Sequence, residues 1–264
     1  MKYPVSVFIM DVTNSTSEGN WKELTNYLRE WESDISSWSS KETTIKVKHR
    51  MGDEILLIAD HYATAYIIAF YMSLIWKFKK QKLYFGIACG YIDDNLESIE
   101  IDSWNHPLIK RARMANERIK GDTNRDTSII FEIYEESSNL EKVNQLVENM
   151  NLLAQLQDKM ISDQAPQQKL VCSLYAVFGE QKRIAQELGK TTSTISSHFR
   201  KGASEMIFKV FDKQKDTLVF MEGFNGRNKR EENLLIAESL VNLIREYIQK
   251  DLDRFYPELI VKDE

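Results

Sequence analysis

The spacing of apolar residues changes once along this chain, close to residue 134. Before that point, short apolar or alternating runs typical of strands take turns with stretches of helical spacing, and after it the spacing is helical throughout. This change predicts an α+β protein. We expect a sheet-containing domain over residues 1–135, a helical domain over 136–213 and a C-terminal helical segment over 214–264.

The region before residue 134 predicts the element order β-α-β-β-α-β-α-β. Strands are expected over residues 5–10, 43–49, 54–58, 82–91 and 127–133. The first helix is expected around an early stripe of core-facing side chains: Trp21, Leu24, Tyr27, Leu28, Trp31 and Ile35. Two further helices are expected over residues 61–80 and from 107 to about 120. Gly52 supplies the turn between the second and third strands.

Composition narrows the classes of protein. The formal net charge of −5 argues against a generally basic nucleic-acid coat protein, although it permits a local basic face. Cys89 and Cys172 lie far apart among apolar neighbours, which is typical of buried thiols in a reducing compartment. No apolar run reaches the ~18 residues of a membrane span. We therefore expect a cytoplasmic protein that has no membrane partner.

A helix-turn-helix is the sharpest local signal, and it lies over residues 180–202. Ile184, Ala185 and Leu188 mark a short first helix, and the small Ala185 permits close crossing by a second helix. Gly189 allows the left-handed turn between the two helices, and Thr191 can cap the second. An apolar helix over 167–177 completes a trihelical unit, which resembles DNA-binding domains of the sigma-factor and response-regulator types.

The second helix of this unit has one side suited to DNA. Ile195 and Phe199 are expected to face inward, and the remaining side chains are left for solvent or double-stranded DNA: Thr192, Ser193, Thr194, Ser196, Ser197, His198, Arg200 and Lys201. Hydroxyl groups position a protein on DNA well but specify bases weakly. Seven Lys or Arg residues stand against three acids between residues 182 and 213. The alternative to DNA binding is a structural three-helix bundle whose basic face is simply solvated.

Acidic residues stand at the ends of two predicted strands. Asp11 ends the first strand, and Asp53 with Glu54 lies at the tip of the hairpin. If those strands are neighbours, the carboxylates of Asp11 and Asp53 meet at one edge of the sheet, as two-metal phosphoryl chemistry requires, and hard oxygen ligands favour magnesium. In the alternative interpretation, Asp11 caps a helix and Gly52 with Asp53 only forms a turn.

Four segments of the N-terminal region resemble class III nucleotidyl cyclases and diguanylate-cyclase palms. They are FIMDVTNST, MGDEILLI, YFGIACGYI and RARMA, within residues 4–133. The chain is still more similar to the bacterial SatD family, which pairs such a region with a C-terminal helix-turn-helix, and this resemblance covers about residues 4–205. It implies a ferredoxin-like, cyclase-type palm followed by an all-α helix-turn-helix domain and a long C-terminal helix.

The resemblance also implies roles for single residues. Asp11 and Asp53 match metal-ligand positions, and Arg113 matches the arginine that cyclases use on the triphosphate of a nucleotide. Two positions depart from the cyclase pattern: His49 replaces the base-recognising lysine and Ile109 replaces the transition-state asparagine. Where SatD-like chains commonly have a DGP triplet, this chain has Asn105, His106 and Pro107.

The C-terminal segment carries a long apolar stripe. Its members repeat at helical spacing over about six turns: Leu234, Ala237, Leu240, Val241, Ile244, Tyr247, Ile248, Leu252 and Phe255. Such a stripe needs a partner surface. Packing on the chain's own helices is one alternative, and pairing of two copies in a homodimer, which would set the spacing of two DNA-binding units, is the other.

Two functions of different classes follow from these patterns. The first is a DNA-binding transcriptional regulator whose cyclase-like domain binds a nucleotide or serves assembly. The second is a magnesium-dependent nucleotidyl cyclase or nucleotidyltransferase. The departures at His49 and Ile109 favour the first, and a pure scaffold is a third hypothesis.

Overall fold

The computed structural model describes residues 2–16, 18–50, 52–122, 127–134, 140–225, 230–257 and 259. The strands are β1 (Tyr3–Val12), β2 (Ile45–His49), β3 (Ile55–Asp60), β4 (Leu83–Ile92) and β5 (Ile129–Tyr134). The helices are α1 (Trp21–Ser37), α2 (Tyr62–Ile75), α3 (Pro107–Gly121), α4 (Leu140–Ser162), α5 (Pro166–Phe178), α6 (Gln181–Glu187), α7 (Thr192–Lys201), α8 (Ser204–Glu222), α9 (Arg230–Lys250) and α10 (Leu252–Phe255). The predicted α+β class and element order are confirmed.

The five strands form one mixed sheet in the order β2-β3-β1-β4-β5. The pairs β2–β3, β3–β1 and β1–β4 are antiparallel, and β5 runs parallel to β4. With α1 and α2 as the connections, β1 to β4 have the split β-α-β topology of ferredoxin-like folds. This topology places the end of β1 beside the β2–β3 hairpin.

Helix α3 covers the face of the sheet opposite to α1 and α2. Its buried Leu108 and Ala112 pack in a small core with residues of β1, β3 and β4. Gly86 on β4 lets α3 approach closely, because a Cβ atom there would lie 2.0 Å from the carbonyl oxygen of Ala112. The buried side chain of Asn116 donates hydrogen bonds to the carbonyl oxygens of Ile9, at 3.1 Å, and Tyr84, at 2.9 Å. Helix α3 is thereby fixed over the centre of the sheet.

Helix α2 lies between the sheet and the helical region. All but two of its fourteen residues are buried, as expected of a helix that is apolar on every side. Its Phe70 stacks on Phe211 of α8 with ring centroids 4.2 Å apart, and its Tyr66 contacts the same ring. One continuous hydrophobic core therefore includes both the sheet and the helical region. The predicted domain boundary at residue 135 lies outside the described residues.

Helix α4 covers the outer edge of the sheet. The Asn151 side chain accepts a hydrogen bond from the backbone N–H of Phe131, at 2.7 Å, and donates one to the carbonyl oxygen of Phe131, at 3.2 Å. The side-chain amide thus takes the place that a further strand would fill beside β5. At Phe131 this edge therefore does not offer its backbone to another chain.

Three details of the predicted helices are corrected. Trp21 is the first residue of α1 and is 58% exposed, so the stripe reaches the core only from Leu24 onward. The second helix ends at Ile75 instead of residue 80, because Trp76 has an extended backbone. The single long C-terminal helix is divided between α9 and α10 at Asp251.

The C-terminal stripe packs within the chain. Ala237, Leu240, Val241, Ile244 and Ile248 are buried in the main core, where α9 contacts α2, α5 and α8. This stripe therefore does not supply a surface for pairing two copies.

The burial of the two thiols matches the expectation from composition. Cys89 and Cys172 are buried and form no disulfide, and burial raises the pKa of the Cys89 thiol. None of the helices in the described part of the chain combines the length and apolar character that crossing a bilayer requires.

Candidate functional site

Three carboxylates meet at one end of the sheet, and we call Asp11, Asp53 and Glu54 the acidic edge. In the β1–β3 register Met10 lies opposite Ile55, so the residues that follow Met10 along β1 meet those that precede Ile55. The Asp53 carboxylate accepts a hydrogen bond from the backbone N–H of Val12, at 3.2 Å. Sheet topology thus brings together the acids that the sequence placed at separate strand ends.

Two cations from α3 pair with two of the three carboxylates of the acidic edge. The ammonium of Lys120 lies 2.8 Å from a carboxylate oxygen of Asp11. The guanidinium of Arg113 donates to both oxygens of Glu54, at 2.9 and 3.1 Å, and Arg50 lies 3.5 Å from the same carboxylate. The fork of an arginine matches a carboxylate in this two-bond geometry. Each of these contacts is internal to the chain.

Burial raises the pKa of the Asp11 carboxyl above its ordinary value, and the negative charges of Asp53 and Glu54 act in the same direction. The hydrogen bond and charge of Lys120 oppose this effect only in part. The raised pKa therefore reflects the burial of this carboxyl first and the neighbouring negative charges second.

The residues of the acidic edge do not fit a magnesium site in this arrangement. Within the described residues, no three His, Cys, Asp or Glu side chains are grouped so that they could hold a metal ion. The predicted ligand Asp11 binds Lys120 instead, and Asp53 binds the backbone of β1. Arg113, predicted to bind a triphosphate, uses its two terminal nitrogens on Glu54.

The two departures from the cyclase pattern have structural roles. A ring nitrogen of His49 lies 3.1 Å from the carbonyl oxygen of Gly52, so the imidazole braces the hairpin. Ile109 packs against the small core beneath α3.

The spacing of two cations in α3 is a further signal in the sequence, which was not among the predictions. Arg113 and Lys120 are seven residues apart, so they share one face of α3.

The ion pair of Lys120 leads to a test of the acidic edge. We expect about 10 mM MgCl2 to leave the melting temperature of the wild type unchanged relative to NaCl of equal ionic strength. Lys120→Ala removes the ammonium and leaves the carboxylates to attract another cation. If the dissociation constant of Mg²⁺ is then about 1 mM, the variant gains about 1.4 kcal/mol from the added salt.

Differential scanning fluorimetry measures both melting temperatures. Lys120→Arg retains a positive charge at this position and serves as the matched control, for which no response to magnesium is expected. A magnesium-dependent rise in the wild-type melting temperature would show that the internal cations do not exclude the metal.

The predicted helix-turn-helix is formed by α6 and α7. Gly189 in the turn has a φ of +58°, the left-handed conformation that glycine adopts readily. The hydroxyl of Thr191 accepts a hydrogen bond from the N–H of Thr194, at 3.2 Å, and caps α7 as predicted. Ile195 and Phe199 are buried, and the ring of Phe199 lies 4.6 Å from that of Tyr175 on α5. The inner side of α7 is therefore anchored to the trihelical unit.

The other side of α7 faces solvent, and we call it the outer face of α7. Of the eight residues predicted to contact DNA, six are exposed and two are half-buried. The exposed residues are Thr192, Ser193, Thr194, Ser196, Arg200 and Lys201, and the half-buried ones are Ser197 and His198. The hydroxyls of Ser193 and Thr194 also contact that of Thr191 at 2.9 Å. Thr192, Ser196, Arg200 and Lys201 are accordingly the most accessible groups for a ligand.

Four cations of the helix-turn-helix form no ion pair with any described residue: Lys182, Lys190, Arg200 and Lys201. Two others are paired on their own helices, Arg183 with Glu187 at 4.0 Å and Lys209 with Glu205 at 2.7 Å. The local excess of positive charge that the sequence indicates is thus partly uncompensated.

Comparison with known proteins adds no relative to this description, because no family model, curated protein or solved structure matches the chain. Membership of the SatD family stays a prediction.

Proposed function

We propose that this protein is a cytoplasmic transcriptional regulator of the SatD type, which binds double-stranded DNA through the outer face of α7. The observation that carries the proposal is the combination of an anchored inner side and an exposed, hydroxyl-rich and cationic outer side on the second helix of a helix-turn-helix. A recognition helix needs two such different sides, because one side packs against the protein while the other enters the major groove of DNA.

Charge supports the proposal. Phosphate oxygens attract cations, and a cation already held in an internal ion pair has less to offer them. Arg200 and Lys201 at the end of α7, Lys190 in the turn and Lys182 at the start of α6 are free of ion pairs to other described residues. They suit contacts with the DNA backbone on either side of a groove, and Thr192 and Ser196 suit contacts inside it.

We propose an assembly role for the sheet region. Helix α2 packs between the sheet and α8, so the sheet supports the trihelical unit. Two of the three carboxylates of its acidic edge are paired with Lys120 and Arg113, which argues against a role in binding magnesium or a triphosphate. A homodimer stays a prediction, and sedimentation equilibrium tests it.

The test is DNA binding as a function of salt. We expect fluorescence anisotropy to detect binding to duplex DNA from upstream of the protein's own coding sequence, with an affinity that falls steeply as salt rises. Each neutralised phosphate contributes about −0.9 to the slope of log K against log salt. Replacing two cations, in Arg200→Gln/Lys201→Gln, should reduce the magnitude of this slope by about 2 and weaken binding roughly 10- to 60-fold near 0.1 M salt.

The matched control is Lys110→Gln/Lys142→Gln, which removes two exposed positive charges on α3 and α4, away from the helix-turn-helix. Its slope and affinity should equal those of the wild type. Binding that does not respond to salt, or an equal loss in both double variants, would contradict a specific role for α7.

The nucleotidyl cyclase or nucleotidyltransferase is the alternative. The position of Asp11 and Asp53 at one end of the sheet is the observation behind it, and it requires magnesium to displace Lys120 from Asp11. It requires turnover of a nucleoside triphosphate in the presence of magnesium, and Asp53→Asn should abolish that turnover. Absence of product from all four common ribonucleoside triphosphates would eliminate this alternative.

A further inference from the structure

A large cavity lies between the sheet region and the trihelical unit. Its volume is about 740 Å³, and its walls come from the end of α2, the α2–β4 connection, the start of β5, and helices α4, α5 and α10. Sites for small organic ligands typically measure ~300–1,000 Å³. The cavity has room for such a molecule.

The inside of the cavity is rich in apolar side chains, including those of Phe70, Trp76, Leu170 and Phe255. Its charged lining is strongly asymmetric. Lys77, Lys79, Lys82 and Lys169 contribute four cations, whereas Asp158 is the one carboxylate among the described lining residues. Apolar walls with a cationic border match a ligand that has an apolar body and a negatively charged end.

Most of these cations are available to a ligand. Lys77 is paired with Glu23 at 3.1 Å, but Lys79, Lys82 and Lys169 form no ion pair with another described residue and are exposed. Asp158 accepts a hydrogen bond from Ser128 at 2.9 Å. The three lysines outnumber the single carboxylate of Asp158 and give the cavity an excess of positive charge.

Two buried glutamines connect the cavity to the helix-turn-helix. Gln157 lines the cavity and donates its side-chain amide to the carbonyl oxygen of Ile207 on α8, at 2.8 Å. Gln164 also lines it and donates to the carbonyl oxygen of Gly202, which ends α7, at 2.6 Å. Side chains that line the cavity thus hold backbone carbonyl groups just after α7 and within α8.

We propose that this cavity binds an amphipathic organic carboxylate, with the apolar body among the aromatic side chains and the carboxylate at the lysine border. A bound ligand contacts Gln157 and Gln164, whose amides donate to the carbonyl oxygens of Ile207 and Gly202. It therefore stabilises the junction between α7 and α8. Ligand binding is independent of the proposed DNA binding. Only an effect of the ligand on DNA affinity rests on that proposed function.

Isothermal titration calorimetry of the full chain without DNA tests the cavity. The probes are 2-naphthoate and decanoate, with 2-naphthalenemethanol and 2-naphthylmethylamine as the neutral and cationic counterparts. We expect one molecule of at least one carboxylate to bind per chain, and more tightly than the uncharged or cationic probe. Failure of both carboxylates to bind overturns the proposal, whatever the chain does with DNA.

Variants then locate the site. Each exposed ion pair contributes about 1.4- to 5-fold to affinity, so Lys82→Gln/Lys169→Gln should weaken carboxylate binding by roughly 2- to 25-fold. Lys110→Gln/Lys142→Gln removes the same charge elsewhere and should leave it unchanged. Ser73→Phe places a ring in the cavity and should abolish carboxylate binding. If the Ser73→Phe variant does not fold, the lysine variants still test the site. Carboxylate affinity equal to wild type in Lys82→Gln/Lys169→Gln overturns the proposal.

Amide hydrogen exchange tests the connection to the helix-turn-helix. Saturating 2-naphthoate or decanoate, whichever binds more tightly, should slow exchange at residues 202–207, and Gln164→Ala should reduce that protection. Protection confined to other parts of the chain contradicts the connection. Ligand binding with protection, but without DNA binding under any salt condition, would contradict the proposed function and leave the cavity site standing.

Discussion

Replacing Glu222 with alanine is expected to lower the free energy of unfolding by about 3–5 kcal/mol, since removing one partner of a buried ion pair leaves the other charge uncompensated. The Glu222 side chain is 3% exposed. One of its oxygens lies 3.0 Å from a ring nitrogen of His61 and accepts from Asn233 at 2.7 Å, and the other accepts from the N–H of Tyr62 at 2.8 Å. This carboxylate therefore connects the start of α2, the end of α8 and the start of α9.

The same contact makes stability depend on pH. Burial alone would lower the pKa of His61, but the hydrogen bond and charge of Glu222 outweigh it, with help from Asp60, so the pKa is raised. A raised histidine pKa contributes stability that is fully present below the unfolded pKa of about 6.5 and is lost as pH rises through the folded pKa. The difference between wild type and Glu222→Gln should consequently be largest near pH 6 and smaller near pH 9.

Urea unfolding followed by circular dichroism measures both effects. Glu246 is exposed on the surface of α9, and Glu246→Gln is the matched control, with a change within about 0.5 kcal/mol. A loss in Glu222→Ala no larger than this, or a Glu222→Gln difference that grows above pH 7, would show that the pair with His61 is not what stabilises this junction.

Local patterns were sufficient for the helix-turn-helix. Thr191, Gly189, Ile195 and Phe199 have roles that depend on neighbours within a few residues, and each has the predicted role. Cap residues, left-handed turns and apolar spacing are properties of a short segment, so the sequence carries them directly. The use of the outer face of α7 on DNA is a property of a complex and remains proposed.

The acidic edge was predictable only in part. Strand ends and the hairpin indicated that Asp11 and Asp53 meet, because an antiparallel neighbour brings a turn beside a strand end. The partners of the acids come from α3, which is more than fifty residues away along the chain from either acid. Spacing placed Arg113 and Lys120 on one face of that helix, but no local pattern states which strand end that face will cover.

The C-terminal stripe illustrates a different limit. Helical spacing shows that an apolar face must be covered, but it does not identify the covering surface. In this chain the surface that covers the stripe belongs to the chain itself, and polar contacts help to fix the position of the C-terminal helices. Arg254 donates to both oxygens of Asp34, at 2.9 and 3.0 Å, and Tyr247 donates to the same carboxylate at 2.7 Å. These contacts span more than 200 residues of sequence. The pattern of a single segment does not indicate whether its apolar face packs on the same chain or on a second copy of the chain.

Gly86→Ala is expected to destabilise the protein by about 3 kcal/mol, the upper end of ordinary overpacking. The added Cβ would lie 2.0 Å from the carbonyl oxygen of Ala112 and 2.4 Å from the backbone nitrogen of Asn116. Backbone atoms cannot rotate away as a flexible side chain can, so α3 must lift from β4. The movement would stretch the hydrogen bonds of Asn116 to the sheet and draw Lys120 away from Asp11.

Gly121→Ala is the control that separates this close approach from a general effect of replacing glycine. Gly121 is the last residue of the same helix, and a Cβ there meets no atom within 4 Å. The substitution should be neutral or stabilise by up to about 1 kcal/mol, since alanine favours the helix. Urea unfolding compares the two variants, and similar free energies of unfolding in both would mean that α3 is not held against the sheet at Gly86. A large loss in Gly86→Ala alone would identify this crossing as the contact that holds the cations of α3 over the acidic edge.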